Sequence, residues 1–174
     1  MISPTLKLPK KTASEQKQSK ISWNLKHCLS KPDFYTIGYS GRGISDFITI
    51  LKGVGIATLV DIRFFPVSRF RPEYSKKNLK HSLETNGINY IHKHDWGVPR
   101  DIRACSIGKH TRDDIWIWYD SNVLPKIVNG NLDDFNNSME PPVALMCVEY
   151  DPTECHRHRI FLGLERLGLT GYDL

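Results

Sequence analysis

Four short runs, Asp33 to Ile37, Ile56 to Ile62, Ile88 to His92 and Val143 to Val148, are largely apolar and stop at polar or charged residues, with helix-like stretches between them. Runs of this length that do not alternate with polar residues suit strands covered on both faces. The repeated order of strand and helix predicts an α/β fold: a mostly parallel β-sheet with helices on both faces, a Rossmann-like three-layer sandwich. Leu169 to Leu174 is a candidate short edge strand. In open sheets of this kind ligands bind outside the carboxyl ends of the strands, so the residues that end each run are the first candidates for a site.

The segments between the runs carry their own signals. Ser45 to Leu51 reads as a helix with Ser45 and Asp46 at its cap, and Ser75 to Asn86 as an amphipathic helix with Leu79 and Leu83 inward, closed by Gly87. Thr111 to Val128 reads as one helix or two, broken at Pro125, with Thr111 as cap before an acidic first turn. Trp116, Trp118 and Tyr119 are expected in the core. Asn129 to Met139 is polar, with at most a short helix around Leu132 to Phe135.

Of the formal net charge of +5, Met1 to Lys31 contributes seven lysines against Glu15 alone, so the remaining 143 residues are close to neutral. Residues 1–31 therefore read as a basic, flexible leader, with Ile21 to Leu29 able to dock, and residues 32–174 as a single domain. A globally basic domain coating nucleic acid is not indicated. Cys28, Cys105, Cys147 and Cys155 lack regular spacing and follow no signal peptide, which suits a reducing, cytoplasmic setting. No apolar run approaches the roughly 20 residues of a membrane span.

The densest cluster of reactive side chains is Cys147 to Arg157, CVEYDPTECHR, where the fourth run passes through turn chemistry into a helix. Asp61 and Arg63 end the second run and are expected to face the same crevice. Asp61, Glu149, Cys155 and His156 are the catalytic candidates. Arg63, Arg69 and Arg157, with Ser40 and Arg42 of the glycine-rich turn Gly38 to Gly43, are the candidates for holding an anion. Arg69 sits among Phe64, Phe65, Phe70 and Tyr74, a mixture that can clamp phosphate and stack on bases. His92 and His94 lack a nearby third ligand, which favours ordinary hydrogen bonding over metal ligation.

Three chemistries fit these residues. A thiolate at Cys155, activated by a helix N-terminus, His156 and Arg157, could act as a nucleophile in a transferase or hydrolase. Asp61 and Glu149 could instead serve as general acid and base on a nucleotide or nucleic-acid bond gripped by arginines. Metal binding by Cys147, Glu149, Cys155 and His156 is disfavoured by the eight-residue separation of the cysteines, so no metal and no cofactor is expected. A non-enzymatic module recognising an anionic small molecule or nucleic acid is the rival of all three.

Five stretches, TIGYSGR, LVDIRFFPVSRFRPEYSK, GINYIH, WGVPRDIR and CVEYDPTECHRHRI, make the chain resemble the family called domain of unknown function 488 (DUF488) across Phe34 to Gly168. The resemblance implies an α/β domain and brings no established reaction. Tyr39 stands where a histidine often occurs in that family.

Overall fold

The structure, a computed structural model, describes residues 31–105, 111–129 and 139–174. The basic leader up to residue 30 and the short helix expected around Leu132 to Phe135 lie outside the described residues.

Five parallel strands form one sheet among the described residues: β1 (Phe34–Gly38), β2 (Thr58–Asp61), β3 (Asn89–His92), β4 (Val143–Cys147) and β5 (Gly171–Asp173). Their spatial order is β3-β2-β4-β1-β5, so β4 is inserted between β1 and β2. Its register sets Gly38 of β1 opposite Cys147, and Asp61 of β2 opposite Met146. The expected edge strand is present as β5, paired with β1.

Six α-helices are described: α1 (Ile44–Gly53), α2 (Lys76–Thr85), α3 (Arg100–Cys105), α4 (Arg112–Asn122), α5 (Leu124–Val128) and α6 (His156–Arg166). The two-residue period of each strand divides the apolar side chains between two cores. Val143, Leu145 and Cys147 pack with Tyr119, Leu124, Ile160 and Leu164 of α4, α5 and α6. Ala144 and Met146 pack with Phe47, Leu51, Leu79 and Leu83 of α1 and α2. The expected three-layer α/β arrangement is therefore present.

Local signals explain most helix ends. Gly87 follows α2 with a φ of 76°, the left-handed conformation that glycine adopts without Cβ strain. Thr111 and Asp114 form a reciprocal capping box at α4, and Pro125 lies in the first turn of α5, where its missing N–H costs no helical bond. The start of α1 differs from expectation. Its N-cap is Gly43, and Ser45 lies inside the first turn without a capping bond. Tyr119 is buried as expected and donates to the Trp96 carbonyl at 2.7 Å, whereas Trp116 lines a cavity.

Candidate functional site

The loop from Cys147 to His156 doubles back so that residues distant in sequence converge. The Asp151 carboxylate accepts from the amide and the hydroxyl of Thr153, at 2.8 and 2.7 Å, tightening the turn into a short 3-10 segment, Pro152–Glu154. Cys155 then caps α6, its sulfur accepting from the Arg157 amide at 3.5 Å. Arg157 is buried and holds the loop down: Nη1 donates to the Glu149 carbonyl at 2.5 Å, Nη2 to the Tyr150 carbonyl at 2.9 Å, and Nε to Thr36 Oγ1 at 3.3 Å.

These bonds occupy three of the five guanidinium N–H groups that sequence reasoning assigned to an anion, and the observed contacts of Arg157 are with its own chain. A lysine offers one ammonium in place of this planar fork and cannot reach two consecutive carbonyls and Thr36 together. Arg157→Lys is therefore expected to lower stability by about 2–3 kcal/mol, read as a shifted urea midpoint at unchanged slope. A midpoint within experimental error of wild type would refute the pinning role.

Behind this loop two free, buried thiols face one imidazole. Cys147 Sγ lies 3.7 Å from His156 Nδ1 and Cys155 Sγ 3.9 Å from the same nitrogen. His156 Nε2 is 3.1 Å from the Ile62 carbonyl, and its ring packs 5.4 Å from that of Tyr119. The Cys147 thiol is 3.3 Å from Glu149 Oε2.

Burial pushes the Cys155 thiol well above its ordinary pKa, and its hydrogen bond with Cys147 and the charge of that residue add to the rise. The expectation of a lowered thiol pKa is thus corrected. The helix end and His156 do not overcome the loss of water around a sulfur that is 1% exposed. Burial also works against charge on Glu149, but hydrogen bonds from Cys155, its own backbone and Cys147, together with His156, hold this carboxyl below its usual range.

Asp61 and Arg63 form a second network. Arg63 Nε donates to Asp61 Oδ1 at 2.8 Å and Nη2 to Oδ2 at 2.6 Å, while Tyr90 donates to Oδ2 at 2.7 Å. Nη2 also donates to the Tyr74 carbonyl at 2.8 Å. Burial alone would lower the Arg63 pKa, and the Asp61 carboxylate outweighs it, raising the pKa. The same burial and carboxylate raise the pKa of Tyr90. Asp61 is fully buried and borders neither cavity described below, so in this geometry it orients Arg63. Among the described residues Arg63 Nη1 has no hydrogen-bond partner.

Two adjoining cavities open over these groups. One, of about 410 Å³, is bordered by Glu149, His156, Arg103, Arg112, Trp116 and Glu154; the other, of about 240 Å³, by Arg63, Tyr39, Phe65, Arg100 and Arg103. Arg103 and Val98 border both. The crevice at the strand ends thus brings together Arg63, Glu149 and His156 of the expected residues.

Others fall elsewhere. Arg69 is exposed on the 64–75 loop and borders neither cavity, and Ser40 does not border them. Arg42 turns away, donating to the Leu174 carbonyl at 2.9 Å and lying over the Tyr150 ring. His92 Nε2 and His94 Nδ1 meet the carbonyls of Arg63 and Phe64 at 2.9 and 2.8 Å, the hydrogen-bonded arrangement expected for them. Sequence reasoning missed Arg100, Arg103 and Arg112. The basic WGVPRDIR stretch was the available signal for the first two, while Arg112 was hidden in a helix start.

The family described as Domain of unknown function DUF488 matches residues 43–161, which carry β2 to β4 and the whole of the Cys147–Arg157 loop. The chain belongs to this family. No curated protein and no solved structure matches it. The matched part of the DUF488 domain includes every residue named above as bordering the two cavities except Tyr39. No described helix is long and apolar enough to cross a membrane.

Proposed function

We propose that this protein is an enzyme acting on an anionic, nucleotide-like substrate bound in the crevice at the strand carboxyl ends. One observation carries the reading. The buried guanidinium of Arg63 borders a cavity with Nη1 lacking a hydrogen-bond partner among the described residues, although an unmet buried donor costs about 1–3 kcal/mol. An anionic oxygen is the natural acceptor for it. Arg100 and Arg103 add charge at the same cavity, and Phe65, 58% exposed, offers a ring on which a base can stack.

Glu149 is the carboxylate placed for proton transfer, since Glu154, the other acid at the larger cavity, is paired with Arg112. In hydrolysis of a phosphoester, Glu149 would take a proton from the attacking water as its oxygen bonds to phosphorus. The leaving oxygen would depart with the electron pair and receive a proton in turn, while the arginines balance charge on the phosphoryl oxygens.

The test measures binding of pyrophosphate, AMP, ADP and a short RNA to the full chain by calorimetry, with turnover followed on the same panel. Arg100→Ala/Arg103→Ala is expected to weaken the bound ligand at least about tenfold, two exposed charge contacts being removed. Glu149→Gln is expected to bind nearly as wild type and to lose about 100-fold or more in turnover. No binding at millimolar concentration, or a double variant that binds like wild type, overturns the anion reading. Binding without turnover by wild type leaves a recognition module and sinks the enzyme reading.

A further inference from the structure

We infer that Cys147, Cys155 and His156 form a binding site for a divalent metal ion of the zinc class, with its fourth position directed toward Glu149. The three donor atoms lie within 4.8 Å of one another and all three side chains are buried. The site stands on its own geometry and does not depend on what the crevice binds.

The distances fit a tetrahedron. With zinc about 2.3 Å from sulfur and about 2.0–2.1 Å from nitrogen, the sulfur-to-nitrogen edge of a tetrahedral site is about 3.6 Å. The two edges here are 3.7 and 3.9 Å, both to His156 Nδ1. An inward movement of the side chains with a tilt of the imidazole ring closes the site around an ion.

The imidazole supplies an independent observation. His156 Nε2 lies 3.1 Å from the Ile62 carbonyl, an acceptor only, so this nitrogen carries the proton and donates. Nδ1 is left to face the sulfurs, Cys155 Sγ at 3.9 Å and Cys147 Sγ at 3.7 Å, the latter also 3.9 Å from Nε2 and so beside the ring. A ring nitrogen fixed through a backbone carbonyl while its other nitrogen faces soft donors is the usual setting of a metal-ligating histidine. The Arg157 amide pointing at Cys155 Sγ is the matching support for a thiolate ligand.

Charge agrees with burial. Two thiolates and a neutral imidazole around a divalent cation form a neutral unit, which a site closed to water can hold. The chain itself leaves the fourth direction for a carboxylate or an exchangeable ligand: Glu149 Oε2 is 3.3 Å from Cys147 Sγ, and Glu149 and His156 border the same cavity. The eight-residue separation of the cysteines is outside ribbon and knuckle spacings, which describe one tight turn. Here one thiol ends a strand, the other caps a helix, and the 3-10 segment folds the intervening chain out of the way.

The experiment titrates the full-length chain, reduced and stripped with chelator, with Co2+ alone. Expected are a thiolate-to-cobalt charge-transfer band and the intense visible bands of tetrahedral Co2+, saturating at one equivalent and bleached by Zn2+. Cys147→Ser and Cys155→Ser are each expected to abolish the bands or weaken affinity at least about 100-fold, and His156→Ala to do the same. Cys28→Ser/Cys105→Ser is expected to keep them. Far-UV circular dichroism of each variant separates loss of ligand from loss of fold, and the near-isosteric serine variants are the decisive ones if His156→Ala does not fold. Absence of the bands from folded wild type, bands unchanged in a folded Cys147→Ser variant, or recovery of the pair only as a metal-free disulfide would each overturn the site.

Discussion

Gly38→Ala is expected to destabilise the protein by about 4 kcal/mol or more, the range reserved for a clash that cannot relax. A Cβ at this position would lie 1.7 Å from the Glu149 carbonyl oxygen and 2.6 Å from its carbon. Both atoms are backbone, and the same oxygen is held by Arg157 Nη1, so the obstruction cannot swing aside. Relief requires the loop after β4 to lift off the end of β1, which would carry Glu149 away from the cavity it borders. Gly41→Ala supplies the contrast: at a φ of 76° but with nothing within 4 Å, it is expected to cost only about 1–2 kcal/mol of backbone strain. Urea denaturation of the two variants side by side checks the argument. A Gly38→Ala midpoint as close to wild type as that of Gly41→Ala would show that the two backbones do not meet as described.

Asp61→Asn is expected to cost about 3–5 kcal/mol, because Arg63 would then be a buried cation without its counter-charge. The amide keeps the shape of the carboxylate, yet its NH2 meets donors where an oxygen now accepts from Arg63 and Tyr90. Removing the arginine as well should recover much of the loss, so that Asp61→Asn/Arg63→Met is more stable than Asp61→Asn alone. A double-mutant cycle in chemical denaturation measures the coupling. If Asp61→Asn leaves stability unchanged and removes activity alone, Asp61 is working on the substrate and the general acid–base scheme of the sequence stands.

How much of this was legible from the residues depends on the range of the interaction. The strand β4, the helix after it and the closing Gly87 of α2 follow from local periodicity and turn chemistry, which the tertiary fold does not override. The role of Asp61 was not legible, because Tyr90 lies 29 residues away and reaches it only through the pairing of β2 with β3. Arg157 carried the right charge in the expected helix turn, but its direction depends on carbonyls that only the folded loop presents. Cys147 reads as a core residue and is one. That the same sulfur also faces His156 follows from the register of β4 against α6, which no spacing rule encodes. Ser45 failed as a cap for a smaller reason: Gly43 has the extended backbone a cap needs, two residues earlier.

Among the described residues strand β4 alone joins two halves of the sheet, β3 with β2 on one side and β1 with β5 on the other, and it follows β1, β2 and β3 in the chain. A growing polypeptide that has not yet made Val143 therefore holds β1 and β2 with open edges and no way to satisfy one another. The central sheet closes only when a late segment threads between them, an order of assembly that makes non-local pairing slow and leaves the unfinished chain prone to aggregation. The thiols and the imidazole meet through that same insertion. Closure of the central sheet and the meeting of these three side chains thus both wait on the last third of the chain.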